Sequence, residues 1–376
     1  MANPPDLHIP PSTATVNVSL IDTGATLKGL RSSMFVEPEI PGHEYLAAPC
    51  SSFLIENPAR QRMLLFDLGL KKDWETWPKP LRERLSQMKV TPFVPKDVRE
   101  VLLDAQGFDT KAIEGAMLSH THVGHVGDVS ALLGPRARLV VGIGTRADVF
   151  PGYPARPAAH FAAADVAGRE VEEMDFDCSF FRIGGLTAID YFADGSFYLL
   201  GAPGHCIGHM CGLARVTSDP DSFVLMGGGA LHHGGELRPH PWRPLPESIL
   251  PNPFDPLSSN PCPGELFDQL LPNGRKSPFY QPSRKPDSVH SDVPAMVETI
   301  RRLQEFDAHD NILIVLGHDP AFLSVADRFP KTLNAFMEKD WAKKTRWAWL
   351  ADFAKAAHQD ERFPRRDTRP GHANKS

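Results

Sequence analysis

Basic charge is not in excess in this chain: 40 Lys and Arg stand against 46 Asp and Glu, a formal net charge of -6 over 376 residues. A nucleic-acid groove needs a basic face, so that class of partner is set aside. No apolar run reaches the roughly 20 residues of a membrane span. The start, Met1-Ala2-Asn3-Pro4-Pro5-Asp6, has no basic segment leading into an apolar one. The expectation is therefore a cytoplasmic protein without a secretory leader or a membrane partner. Cysteine is sparse: Cys50, Cys178, Cys206, Cys211 and Cys262 are odd in number and form no C-x-x-C pair. That pattern fits a reducing compartment rather than a disulfide framework. What the chain does have is 41% hydrophobic content, enough for a large buried core.

Short apolar runs alternate with turns. Phe53-Leu54-Ile55-Glu56 and Met63-Leu64-Leu65-Phe66-Asp67 read as strands, with Asn57-Pro58 at the turn. Leu139 to Gly142 reads as a buried strand. Two hairpins follow, one closed around Asp194-Gly195 and one around Asp219-Pro220-Asp221. Met296, Val297, Ile300 and Leu303 fall at helical spacing ahead of the run Ile312 to Gly317. Strands in meanders followed by crossing helices suit a layered α/β arrangement, an αββα sandwich. Residues 1–15 are Pro-rich and read as a loose arm. The stretch 234–286 is rich in Pro and aromatics and reads as a lid over the functional face, or as a surface insertion. Residues 331–361 read as a helical extension and 362–376 as a disordered tail.

The chemistry concentrates in histidines. Ser119-His120-Thr121-His122-Val123-Gly124-His125 leaves the apolar run Ala116-Met117-Leu118. His205 stands in Ala202-Pro203-Gly204-His205-Cys206-Ile207-Gly208-His209, and His318 ends a third apolar run. In an extended loop His120 and His122 point the same way. Imidazole nitrogen suits zinc, and a catalytic zinc commonly has three protein ligands.

These motifs resemble the metallo-β-lactamase superfamily, whose loop reads His-x-His-x-Asp-His. The motif order, with Gly317-His318-Asp319-Pro320 late in the chain, is most similar to lactonase-like hydrolases, including those of fungal secondary metabolism. The resemblance covers roughly residues 15 to 330 and implies the αββα fold for 16–330. It also implies a first metal site at His120, His122 and His205. His125 and His318 match the histidines of the family's second site. Its two carboxylates are missing: Gly124 and Gly229 stand at those positions. Two neutral imidazoles alone hold a second dication weakly. The expectation is one zinc per chain, with iron or manganese as alternatives.

Asp128 lies four residues after Gly124. It could supply a displaced carboxylate from the same helix face, or complement a helix dipole. His125, His318 and Asp128 are then the candidate acid–base groups. His209, His232 and His233 are weaker candidates. Cys206 is either a soft ligand or a small buried residue. Asp67 matches a family Asp that orients a ligand, or caps a turn, and Asp319 is a supporting partner of His318 or a surface charge. Three functions remain open. One is hydrolysis of a lactone, ester, thioester or amide of an apolar or aromatic small molecule. The second is a lyase, isomerase, cyclase or iron oxygenase. The third is an inactive descendant that binds a small molecule.

Overall fold

The computed structural model describes residues 3–134 and 137–357. Asn17–Lys28, which alternates in burial only over its second half, and Ala48–Asn57, buried over most of its length, lie inside a seven-stranded sheet. Its order is Thr91–Phe93, Asn17–Lys28, Ala48–Asn57, Arg62–Phe66, Gly115–Met117, Arg138–Gly142, Val171–Met174. The pairs from Arg62–Phe66 onward are parallel, and the earlier ones antiparallel. A six-stranded sheet has the order Ile312–Val315, Asp221–Met226, Met210–Ser218, Phe197–Gly201, Leu186–Asp190, Arg182–Ile183. Both hairpins read from the sequence are present, in registers Ile189↔Leu199 and Leu213↔Leu225.

The inner faces of the two sheets meet. Val18, Phe53, Phe66 and Val140 pack against Phe197, Leu199, Val224 and Met226. Outside the first sheet, Val98, Leu102, Val129 and Leu132 cover Leu54, Leu65 and Leu139. Outside the second, Met296, Ile300, Leu303 and Phe306 of the helix Val293–Asp307 cover Tyr198, Leu213 and Ile314. This is the expected αββα sandwich, with helices on both outer faces. Among the described residues no helix is long and apolar enough to cross a membrane.

Three segments differ from their sequence reading. Residues 3–15 lack helix and strand, yet they are fastened: Leu7 is buried and its carbonyl accepts from Gly184 N at 2.9 Å. The fully buried Arg215 guanidinium donates to Pro10 O and to Gly195 O. From 331 the chain is not one helix but short turns, including Trp341–Thr345, Ala348–Phe353 and Ala354–Ala357. The aromatics of 234–286 do not cover the histidines. Phe267, Phe279 and Tyr280 are buried with Trp347, Trp349, Leu350 and Phe353, in the same apolar cluster that holds Phe35, Leu81 and Leu85. Removing these rings from water, at about 25 cal/mol per Å² of apolar surface, outweighs leaving them over an open face. The expected tail 362–376 and the end of the expected 331–361 extension lie outside the described residues.

Candidate metal centre

All the candidate histidines emerge at one end of the sandwich. His120, His122 and His125 follow the strand Gly115–Met117, His232 follows Asp221–Met226, and His318 follows Ile312–Val315. His205 comes from the loop between Phe197–Gly201 and Met210–Ser218. Parallel strands deliver their carboxyl ends, and the loops after them, to the same edge.

Three ring nitrogens converge there. His205 Nε2 lies 2.8 Å from His122 Nδ1 and 3.2 Å from His120 Nε2. Their partners set the tautomers. Ser119 Oγ donates to Asp67 Oδ2 at 2.8 Å and so accepts from His120 Nδ1 at 2.9 Å, which leaves Nε2 of His120 as a lone pair. His290 Nε2 donates to Phe35 O at 2.8 Å, so its Nδ1 accepts from His205 Nδ1 at 3.3 Å. His205 Nε2 is thereby a lone pair as well. His122 is the exposed member and presents Nδ1 to the gap. Burial, then the neighbouring imidazoles, holds His120 and His205 well below the usual histidine range, so both are neutral at pH 7. Zinc–nitrogen bonds of about 2.0–2.1 Å in a tetrahedron separate the nitrogens by about 3.3 Å. The observed spacings are close to that, and the donor set fits a divalent ion such as zinc.

His125 and His318 are oriented by the same logic. His125 Nδ1 donates to Asp67 Oδ2 at 2.7 Å, and His318 Nδ1 donates to Pro49 O at 2.7 Å. Each keeps its Nε2 lone pair, and their rings are 5.4 Å apart. Burial lowers His318 to about 4. They join no group of three converging ligand atoms among the described residues. The nearby Asp67 carboxylate is already committed to Ser119 N, Ser119 Oγ and His125. Asp67 thus orients two of the histidines, at a left-handed φ of 57° that Asp tolerates. A Cβ on Gly124 would meet Cys50 Sγ at 3.2 Å and His318 Cε1 at 3.3 Å. A Cβ on Gly229 would meet His205 Cδ2 at 2.5 Å and His120 Cε1 at 2.9 Å, because both rings lean into that space.

Asp128 is drawn elsewhere. It caps the helix Val129–Leu132 by accepting from Ala131 N at 2.9 Å, and it pairs with Lys71 at 3.0 Å. Those partners hold its carboxylate below its usual range despite partial burial. Of the two readings of Asp128 the helix-end one matches: a short helix, Val123–Val126, does begin at the loop, but the chain breaks at Gly127 (φ 50°) and Asp128 opens the next helix, turned away from Gly124. Asp319 likewise caps its own short helix, accepting from Phe322 N at 3.0 Å. His209 has both nitrogens engaged, Nδ1 donating to Ala202 O and Nε2 accepting from Gly229 N at 2.9 Å, so it pins backbone.

Two histidines matter more than their sequence context suggests. His290 positions His205 from 85 residues away, and no local pattern marks it. His232 is buried 4.8 Å from His205 and 6.2 Å from His318, centroid to centroid, and its Nδ1 has no hydrogen-bond partner. Beside it Glu236, buried and pushed up to about 8, accepts from the backbone N–H of His232 and His233. A further group, His43, His233 and Asp352, also brings ligand atoms within 4.8 Å. There Gly235 N–H occupies His233 Nδ1, so Nε2 carries the proton and donates to Asp352 at 3.2 Å. That leaves His233 no lone pair for a metal, and the trio fastens the C-terminal segment.

The histidines floor a cavity of about 130 Å³. Leu27, Leu30, Phe35, Leu81, Leu85 and Met88 form its apolar wall, and Arg84 and His160 stand at its polar side.

No family model matches the chain. Gamma-lactamase FDB1 of Fusarium pseudograminearum (strain CS3096) is 39% identical over 359 residues, 93% of this chain and 85% of that protein. Metallo-hydrolase mfmC of Annulohypoxylon moriforme is 40% identical over 366 residues, 94% of this chain and 92% of that protein. A solved structure of a B. thuringiensis AiiA mutant with N-decanoyl-L-homoserine bound at the active site superposes with a TM-score of 0.56 at 14% identity, covering 85% of this chain and 99% of that one. That likeness bears on the fold. With relatives this similar over nearly the whole length, the chain belongs to the metallo-β-lactamase superfamily, as a metal-dependent hydrolase related to fungal metallo-hydrolases.

Proposed function

We propose that this chain opens the carbonyl–nitrogen or carbonyl–oxygen bond of an apolar γ-lactam or lactone, at one divalent metal ion held by His120, His122 and His205. The observation that carries this reading is the convergence of those three nitrogens on the floor of an apolar cavity. The lactam preference is supported by the relative named a gamma-lactamase. A zinc ion in such a setting polarises a carbonyl and lowers the pKa of a bound water to about 7.

The chain's own residues do the rest. Leu81, Leu85, Met88 and Phe35 take the apolar body of the substrate out of water. His125 Nε2 and His318 Nε2, left as acceptors by their partners, line the same cavity and can take a proton from the attacking water. The same proton then serves the leaving nitrogen or oxygen. Ring opening turns a neutral substrate into a carboxylate, and Arg84 at the cavity edge is placed to pair with it.

The test pairs metal analysis with hydrolysis. Protein purified without chelator should carry one equivalent of zinc, iron or manganese. It should open γ-lactams or lactones with apolar substituents, and His120→Ala should lose both metal and turnover. A metal-loaded wild type that opens no member of a lactam, lactone, ester and thioester panel would end this reading.

A further inference from the structure

Cys206 follows His205 in a tightly clamped loop. Gly204 (φ 121°) packs where a Cβ would meet Met296 N at 2.1 Å, and Gly208 (φ 71°) where one would meet Thr145 Oγ1 at 2.3 Å. Held at both ends by these close approaches, the loop folds the Cys206 side chain back toward the histidines. Its Sγ and the nitrogens of His120, His122 and His205 all lie within 4.8 Å of one another. The other four cysteines do not belong to this group. Cys50 lies beside Gly124 and His318, Cys211 and Cys262 are buried elsewhere, and Cys178 bonds Asp175 at 2.9 Å.

Charge and geometry favour a ligand over a small filler residue. Three neutral imidazoles leave a dication uncompensated, and among the described residues no carboxylate joins the group: Asp67 is committed and Asp128 caps a helix. The Cys206 thiolate is the anionic donor that the group itself contains among the described residues. With metal–sulfur bonds of about 2.3 Å, a tetrahedron sets S···N at about 3.5 Å, a side-chain adjustment of at most about 1.3 Å from separations that all lie within 4.8 Å. We propose that Cys206 supplies a thiolate as the fourth ligand of the metal held by His120, His122 and His205. On coordination the S–H bond breaks, its proton goes to solvent, and the sulfur electron pair forms the metal–sulfur bond. No oxidation or reduction is involved. A metal held by these four side chains would have no open position of its own, so a water or substrate would have to replace the thiolate or add as a further ligand. This inference rests on the three-histidine metal reading above.

Cobalt(II) titration of the metal-free full chain tests both separately. Visible d–d bands report cobalt binding, and a near-ultraviolet thiolate-to-cobalt charge-transfer band reports sulfur ligation. The wild type should show both at one equivalent. Cys206→Ser and Cys206→Ala should keep the visible bands, lose the near-ultraviolet band and bind cobalt at least 10-fold more weakly. Cys50→Ser should keep both. Bound cobalt should also slow alkylation of Cys206 in the wild type at least 10-fold. Visible bands without the charge-transfer band in the wild type would overturn the thiolate while leaving the histidine site standing. So would a charge-transfer band that survives in Cys206→Ser or disappears in Cys50→Ser. No cobalt binding by the wild type would overturn both readings.

Discussion

His290 fixes which nitrogen of His205 faces the centre: it donates to Phe35 O from Nε2 and accepts from His205 Nδ1 at 3.3 Å. A ligand imidazole oriented by an outer partner is more basic and loses less freedom on binding metal.

His290→Ala removes that acceptor and lets His205 take either tautomer. Metal affinity should fall 10- to 100-fold, measured by competition with a chromophoric chelator. The change in unfolding free energy of the metal-free protein should stay near 1 kcal/mol. An unaltered affinity would show that His205 is oriented by its loop alone.

Asp67 accepts from Ser119 N, Ser119 Oγ and His125 Nδ1 at 2.7–2.8 Å. Asp67→Asn keeps the size and tolerates the left-handed backbone, but its amide N–H faces His125 and favours the opposite tautomer. The lone pair on His125 Nε2 is then lost. Turnover should drop at least 10-fold with KM little changed, the pattern of a transition-state role. Denaturant titration should find about 1–3 kcal/mol of lost stability from the mismatched donors. Equal loss in KM and none in kcat would place His125 outside proton transfer.

Gly229→Asp puts a Cβ 2.5 Å from His205 Cδ2 and 2.9 Å from His120 Cε1. In the metal-free protein both rings must swing away, at a cost of about 1–3 kcal/mol. Added metal should recover this cost, because the new carboxylate is then a ligand. The double change Gly124→Asp and Gly229→Asp should raise the metal content from one equivalent to two, read by elemental analysis. One equivalent in both proteins would mean that His125 and His318 are not spaced for a second ion.

Burial holds His43 and His209 at about 4, below the 6.5 of an exposed histidine. Above pH 6.5 neither state binds the proton, so these groups add no pH dependence. Between 6.5 and 4 the unfolded chain binds protons that the folded chain refuses. Stability must fall as the pH drops through that window, by up to about 1.4 kcal/mol per pH unit for each such histidine. Glu236, pushed up to about 8, works the other way, the folded chain holding a proton that the unfolded one releases. Urea midpoints of the metal-free protein should therefore rise slightly from pH 7.5 to 6.5 and then fall through 5.5 and 5.0, where the buried histidines outnumber it. A midpoint constant down to pH 5 would contradict neutral burial of these rings.

Much of this was legible locally. Short apolar runs bounded by turns, and helical apolar spacing, are properties of neighbouring residues, so the strands around residues 53–66 and 139–142, both hairpins and the helix Val293–Asp307 could be read directly. The loop Ser119–His125 carried three histidines in one short segment, and the absence of carboxylates at 124 and 229 needed only the letters. Tertiary structure decided what depends on distance between segments. It sent the aromatics of 234–286 to a core with Trp349 and Phe353, because hydropathy alone does not say which apolar surface a ring will meet. It diverted Asp128 to Lys71 and a helix end. It brought His290 to His205 and Cys206 toward three histidines, and it assigned each imidazole its tautomer through partners many residues away. Convergence and protonation of this kind are set by the packing of the two sheets and their loops, which no local pattern encodes.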